Sequence, residues 1–218
     1  MKIERFGKIT LINGDCMDYM RSLPDNAFDL AVVDPPYSKA GGNVGRTGGT
    51  WAAKYGTSIR NWDIAPSDEY FKELFRLSCN QIIWGGNYFN LPPTRCFLIW
   101  QKHIPENFTM AMCEYAWTSF DANAKLFKYS SVGKKNDPRI HPCQKPIALY
   151  KWILERYAKE GDKILDTHLG SGSSAIAAYE LGYEYVGIEI DGEYYEKAKA
   201  RLLERMRHKS LFEDIKKI

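Results

Sequence analysis

Short apolar runs bounded by turn residues alternate along the chain with segments whose apolar residues recur every three or four positions. Runs of four to six residues suit strands and the longer period suits helices, so the order predicts an α/β fold with a mostly parallel sheet. Strands are expected at Ile9 to Asn13, Asp29 to Asp34, Gln81 to Gly85, Cys96 to Gln101, Glu114 to Ser119, Lys163 to Asp166 and Tyr185 to Glu189. Seven strands make one doubly wound sheet, with residues 1–218 forming a single domain.

The helices between them have readable ends. Pro66 and Ser67 open a stretch that places Phe71, Leu74 and Phe75 on one face. Pro146 suits a first helical position, followed by Ile147, Tyr150, Leu154 and Tyr157 at helical spacing until Gly161. Ser173 to Leu181 is a short helix closed by Gly182, and Asp191 caps a helix aligning Tyr195, Ala198, Leu202 and Met206. Ser210 and Glu213 stand at capping-box spacing and suggest a separate last short helix.

At 218 residues with 44% apolar content, the chain can bury roughly 70% of its unfolded surface. Its core therefore needs neither metal nor disulfides. Five scattered cysteines lack a C-x-x-C pair, which argues against a zinc site and for a reducing, cytoplasmic setting. No run approaches the roughly 18 apolar residues of a membrane span, and MKIERFGKITLING lacks a signal-peptide core.

The net charge of +3 says little until it is located. Residues 38–61 carry Lys39, Arg46, Lys54 and Arg60 with no acid, alongside six glycines and Trp51. Residues 121–141 carry Lys125, Lys128, Lys134, Lys135 and Arg139 against Asp121 and Asp137. These two segments concentrate positive charge on an otherwise mildly acidic chain. Both are expected to be loops, and their charge suits phosphate contacts.

The segment KILDTHLGSGSSAIAAYELGYEYVGIEID reads strand, glycine turn, helix, strand. Gly170 and Gly172 would let a ligand approach the backbone, and the Glu189 carboxylate could accept hydrogen bonds from both hydroxyls of a ribose. A nucleoside cofactor fits this pattern. Gly170, Gly172 and Ala175 also satisfy the loose dinucleotide form G-x-G-x-x-A, so a nicotinamide or flavin cofactor competes. Asp166, four residues before the first glycine, favours a cationic ligand over an anionic pyrophosphate; S-adenosylmethionine carries both an ammonium and a sulfonium.

Asp34-Pro35-Pro36-Tyr37 follows the apolar run LAVV, at a strand end where ligands bind in doubly wound sheets. Two prolines fix φ near about −65° and remove two N–H donors, leaving a rigid elbow with carbonyl acceptors. The Asp34 carboxylate and an elbow carbonyl could bind the two hydrogens of an exocyclic amine conjugated to an aromatic base. That would localise the nitrogen lone pair towards a methyl donor, with Tyr37 stacked on the base.

With these motifs in order, the chain resembles the DNA amino-methyltransferases that modify N6 of adenine or N4 of cytosine. The resemblance runs through GDCMDYMRSLPDNAFDLAVVDPPYS, IIWGGNYF, FLIWQK, CEYAW, HPCQKP, DTHLGSGSS and IEID. It is to the circularly permuted (beta-class) order, in which the tetrapeptide precedes the cofactor glycines. It implies a Rossmann-like methyltransferase fold and S-adenosylmethionine as cofactor. Double-stranded DNA is the implied substrate, a restriction–modification setting the implied context, and no metal is implied. Thr167 and His168 stand where the family more often has proline and an aromatic.

Carried over by position, the resemblance implies Asp34, Pro35, Pro36 and Tyr37 as the target-amine site. It implies Asp166, Gly170 and Gly172 beside the methionine half of the cofactor, Glu189 on its ribose, Asp15 at its adenine and Lys145 near its carboxylate. DNA contacts are expected from Lys39, Arg46, Trp51, Lys134, Lys135 and Arg139. An opening aspartate, rather than serine, favours adenine-N6, with cytosine-N4 as the alternative. A dinucleotide-dependent oxidoreductase would need a hydride-site acid or base, and a catalytically silent DNA-binding module would not need an intact DPPY. The two short basic segments suggest a short recognition sequence, with a homodimer completing the DNA surface.

Overall fold

The structure is a computed structural model that describes residues 1–37, 64–108, 110–131, 138–141 and 143–215, with side chains to residue 208. Among the described residues nine strands form one sheet: β1 (Lys2–Phe6), β2 (Ile9–Asn13), β3 (Phe28–Val33), β4 (Ser78–Trp84), β5 (Phe97–Gln101), β6 (Cys113–Thr118), β7 (Lys125–Lys128), β8 (Lys163–Asp166) and β9 (Glu184–Glu189). The described helices are α1 (Cys16–Arg21), α2 (Asp68–Leu77), α3 (Ile147–Tyr157), α4 (Ser173–Leu181) and α5 (Gly192–Ile215).

The strand order is β1-β2-β9-β8-β3-β4-β6-β5-β7. Strands β2, β9, β8, β3 and β4 run parallel, whereas β6 is antiparallel to both its neighbours. The second strand, β2, lies beside the last, β9, pairing Asn13 with Glu189.

All seven expected strands are present, and the two further ones are the sheet's edges. They escaped the apolar pattern because an edge strand buries little: β1 (KIERF) and β7 (KLFK) have no fully buried residue. Strand β7 also corrects the expected loop 121–141, whose first part pairs in parallel with β5. Helix α1 was missed because six residues are too few to display a period. Helix α5 continues through Ile215, so no separate helix begins at Ser210.

Alternation along the strands supplies both faces of the sheet. Leu30, Val32, Ile82 and Trp84 pack beneath α3, α4 and α5, while Ala31, Val33 and Ile83 pack against α1 and α2. Helix α2 buries Tyr70, Phe71, Leu74 and Leu77 on one stripe. Each fully buried leucine there contributes about 1.5–3 kcal/mol. The first six residues of α4 are all buried and mostly small, so this helix sits between the sheet and its neighbours.

This layering positions the site. Adjacent parallel strands β8 and β3 continue to opposite faces, β8 into α4 and β3 onward to α2. Chain leaving them in opposite directions opens a crevice at their carboxyl ends, the switch point where open α/β sheets bind ligands.

Candidate active site

A cavity of about 250 Å³ occupies that crevice. The end of β3 contributes Asp34, Pro35, Pro36 and Tyr37; the turn after β8 contributes Thr167 to Ser171; the end of β9 contributes Glu189 and Ile190. Gly14, Asp15 and Cys16 line it from the β2–α1 connection, and His141, Cys143, Gln144 and Lys145 from the segment before α3. The proline elbow and the glycine turn, 132 positions apart from Asp34 to Asp166, thus share one space.

Glu189 is nearly buried, and its two oxygens accept from Gly170 N at 2.8 Å and Asp191 N at 2.9 Å. Burial lifts its carboxyl to about 7, against the pull of those backbone donors. Each oxygen keeps a lone pair for a further donor from the cavity.

Asp15 caps α1, accepting from Met17 N at 2.8 Å, and remains exposed at the cavity rim. Burial pushes the neighbouring Cys16 thiol to about 12, which keeps it a packing residue rather than a nucleophile. His141 lies edge-on to Tyr194, with ring centroids 4.4 Å apart, and accepts from Cys143 N.

Of the expected cofactor contacts, Asp166 and Gly172 lie off the cavity wall, while Lys145 lies on it but is ion-paired. Asp166 is 1% exposed and turns away from the cavity: Oδ1 accepts from His168 N at 2.9 Å and Oδ2 from the Ser174 hydroxyl at 2.6 Å. Burial raises its carboxyl to about 6. It stitches the turn to α4 instead of facing a ligand's charge. Gly172 does not line the cavity; φ is +74°, and a Cβ there would meet the Ala198 Cβ of α5 at 3.1 Å, so it serves helix packing. Lys145 lines the cavity, but its ammonium is ion-paired with Asp34 and, at 3.2 Å, with Glu114. Its ammonium therefore stands beside the proline elbow.

At the elbow, Asp34 Oδ2 takes the Lys145 contact while Oδ1 is buried with no hydrogen-bond partner among the described residues. Burial holds the Asp34 carboxyl above the ordinary carboxylate range even with the ammonium beside it. Tyr37 packs against Gly85, where a Cβ would fall 2.7 Å from the ring. Its ring also stacks on half-exposed Tyr88, centroids 4.8 Å apart and planes 12° from parallel. Tyr88 was not legible as a site residue within IIWGGNYF, because a tyrosine two residues beyond a Gly-Gly pair carries no spacing signal for stacking.

His168, standing in the family's aromatic position, packs edge-on against Tyr70, and burial lowers its pKa to about 4, keeping it neutral. Thr167 Oγ1 bridges His168 Nδ1 at 2.9 Å and the Tyr70 hydroxyl at 2.6 Å. A hydrogen-bonded pair thereby fixes the turn that a proline and an aromatic would otherwise shape.

Of the expected DNA-contacting residues, Lys39, Arg46, Trp51, Lys134 and Lys135 lie outside the described residues. Arg139 is described; its guanidinium donates to the His141 and Ser131 carbonyls, which commits part of its donor set within the chain.

A doubly wound sheet with an elbow acceptor and a ribose-competent carboxylate facing one crevice defines an α/β enzyme that holds a nucleoside ligand beside a second substrate. A family model described as DNA methylase, of the N6/N4 methyltransferase type, matches residues 66–200. The chain belongs to that family. Type II methyltransferase M2.DpnII of Streptococcus pneumoniae is 26% identical, covering 89% of this chain and 90% of its own length. Type II methyltransferase M.HinfI of Haemophilus influenzae is 25% identical, over 89% and 68%. Among solved structures, the M1.HpyAVI–SAM complex superposes with a TM-score of 0.58 at 20% identity, covering 88% of this chain and 99% of that one. The cytosine-N4-specific PvuII DNA methyltransferase gives 0.60 at 13% identity, over 88% and 86%. These structural likenesses establish a shared fold.

Proposed function

We propose that the protein transfers a methyl group from S-adenosylmethionine to the exocyclic N6 of adenine in double-stranded DNA, with the target base extruded from the helix. The observation that carries this reading is Asp34 Oδ1, a buried acceptor without a partner among the described residues, just past β3 in DPPY and on the cavity wall. A buried acceptor left open costs free energy unless a ligand donor completes it. An amine hydrogen is such a donor.

The cavity also suits the cofactor. Glu189 offers two oxygens for a ribose diol, and Asp15, His141, Ile190 and Tyr194 complete a mixed polar and apolar wall. S-adenosylmethionine supplies an electrophilic methyl on a sulfonium. Asp34 accepts from the target amine and concentrates its lone pair, the proline elbow holds that carboxylate rigid, and extrusion brings the base to it. The DPPY-first chain order and the pairing of β2 with β9 support placement in the permuted class.

The preference for adenine-N6 over cytosine-N4 rests on the opening aspartate, which resembles the adenine-specific members; both amines present two hydrogens on a conjugated ring, so the elbow alone does not choose. The deciding experiment incubates mixed-sequence duplex DNA with labelled S-adenosylmethionine, digests it to nucleosides and identifies the labelled one by mass spectrometry. N6-methyladenine is expected. N4-methylcytosine as the main product would reverse the base assignment, and label found only in RNA or protein would reverse the substrate class.

DNA engagement through the second basic segment has its own readout. Replacing Lys134 and Lys135 with alanine is expected to reduce the magnitude of the salt slope of DNA binding by about 1–2 and to weaken all sequences alike. An unchanged slope would assign those lysines to solvent.

A further inference from the structure

Asp34 stands at the end of a line of four charges alternating in sign. Lys102, just past β5, places Nζ 2.5 Å from Glu114 Oε1. Glu114 Oε2 lies 3.2 Å from Lys145 Nζ, and Lys145 in turn contacts Asp34 Oδ2. The β5–β6 ladder sets this up by pairing Trp100 with Glu114. Only 2% of the Lys145 side chain is exposed, and its ammonium lies 5.2 Å from the Trp84 ring centroid. Water therefore cannot substitute for a lost partner.

The proposed chemistry makes a demand on this line. Asp34 Oδ1 stands open to the incoming amine while Oδ2 is held by the Lys145 ammonium, whose positive charge weakens the whole carboxylate as an acceptor. A buried ammonium whose only carboxylate were Asp34 would draw on it in full. Glu114 divides that pull because the ammonium touches it as well. Lys102 sets how much of the Glu114 charge remains for Lys145.

We infer that Glu114 is a positioning residue for methyl transfer: it shares the Lys145 ammonium with Asp34 and thereby leaves Asp34 Oδ1 a stronger acceptor for the target amine. The inference rests on the proposed function, since it assigns Asp34 to the amine. Glu114 acts through Lys145 and touches no reacting atom. Asp34 is also faced by Tyr37 of its own elbow, Cys143 before α3, Tyr150 of α3, Tyr70 of α2 and Asp166 of β8. Of these, burial holds the phenols and the thiol neutral near pH 7, leaving Asp166 as the further charge that titrates nearby.

The test uses the whole protein and two substitutions of opposite sign. Glu114→Gln removes the negative charge, committing Lys145 to Asp34; Lys102→Met leaves Glu114 to Lys145 alone and draws the ammonium away from Asp34. Carboxyl carbon NMR, with Asp34→Asn to assign the resonance, follows the Asp34 titration. Methyl transfer to mixed-sequence duplex DNA gives kcat and KM. For Glu114→Gln we expect the Asp34 midpoint and the acid limb of kcat to move to lower pH, kcat to fall about tenfold and the KM for S-adenosylmethionine to stay within about twofold. For Lys102→Met the midpoint moves to higher pH, which keeps the inference testable should Glu114→Gln fail to fold. A purely structural Glu114 would lower the melting temperature without moving the titration. An unmoved Asp34 midpoint in the soluble variants, or wild-type kcat in Glu114→Gln, would overturn the inference. A wild-type protein that methylates no DNA would overturn the proposed function instead, and the Asp34 titrations would still decide whether Glu114 governs the Lys145 contact.

Discussion

Replacing Asp34 with alanine is expected to lower methyl transfer by on the order of 10²-fold or more while S-adenosylmethionine affinity stays within a few fold. The loss corresponds to roughly 2.7 kcal/mol of transition-state stabilisation, reasonable for one acceptor in a site shielded from water. Cofactor binding should be spared because Glu189 and the turn after β8 belong to other strands. The fold should also tolerate the change, since Lys145 keeps Glu114 at 3.2 Å as a second carboxylate. Asp34→Asn separates charge from shape: it keeps one acceptor oxygen but presents an NH₂ group in place of the other. Single-turnover rates with saturating cofactor, beside calorimetric cofactor affinity, make the measurement. Near-normal turnover in the alanine variant would remove Asp34 from the chemistry.

Much of this arrangement was legible in the sequence, because buried parallel strands and helix ends leave strong local signals. Ile9–Asn13, Lys163–Asp166 and Ser173–Leu181 coincide with their expected bounds. The proline elbow and glycine turn could be placed at strand ends because each directly follows an apolar run. The edges were not legible, since β1 and β7 take their stability from one neighbour and expose most of their side chains.

Side-chain direction was the other gap. Sequence spacing placed Asp166 correctly at a strand tip, but which way its carboxylate turns depends on Ser174, the second residue of α4, and on the His168 amide. Likewise, Lys145 sits in the expected HPCQKP segment, while its partners come from β3 and β6, far away in the chain. No local pattern encodes such a meeting. Glu114 was visible as the first residue of an expected strand and one letter of CEYAW, with no sign of its partners. A charged residue opening an otherwise apolar strand was the available clue, because a strand that brings a carboxylate towards the interior needs cations to meet it.

Glu189→Ala is expected to weaken S-adenosylmethionine binding by about 1.5–3 kcal/mol, through loss of charge-assisted hydrogen bonds to the ribose. It also strips the Gly170 and Asp191 amides of their acceptor, so the variant should melt earlier as well. Melting alone cannot therefore identify the ribose contact, and the wild-type protein supplies the cleaner signature. Its Glu189 carboxyl titrates near 7, raised by burial. Folded and unfolded states thus differ in proton affinity: the folded carboxyl binds its proton more tightly, so its contribution to stability is full below about 4.5 and is lost as pH rises through about 7. Ribose hydroxyls donating to the carboxylate favour the charged form and pull the titration back down. Cofactor binding at pH 6–7 should consequently release a fraction of a proton, and affinity should weaken as pH falls below that window. Calorimetry in two buffers of different ionisation enthalpy measures the release directly, and Glu189→Ala should abolish the contribution of this group. Equal binding enthalpies in both buffers, together with wild-type affinity in the alanine variant, would show that the ribose is held elsewhere in the crevice.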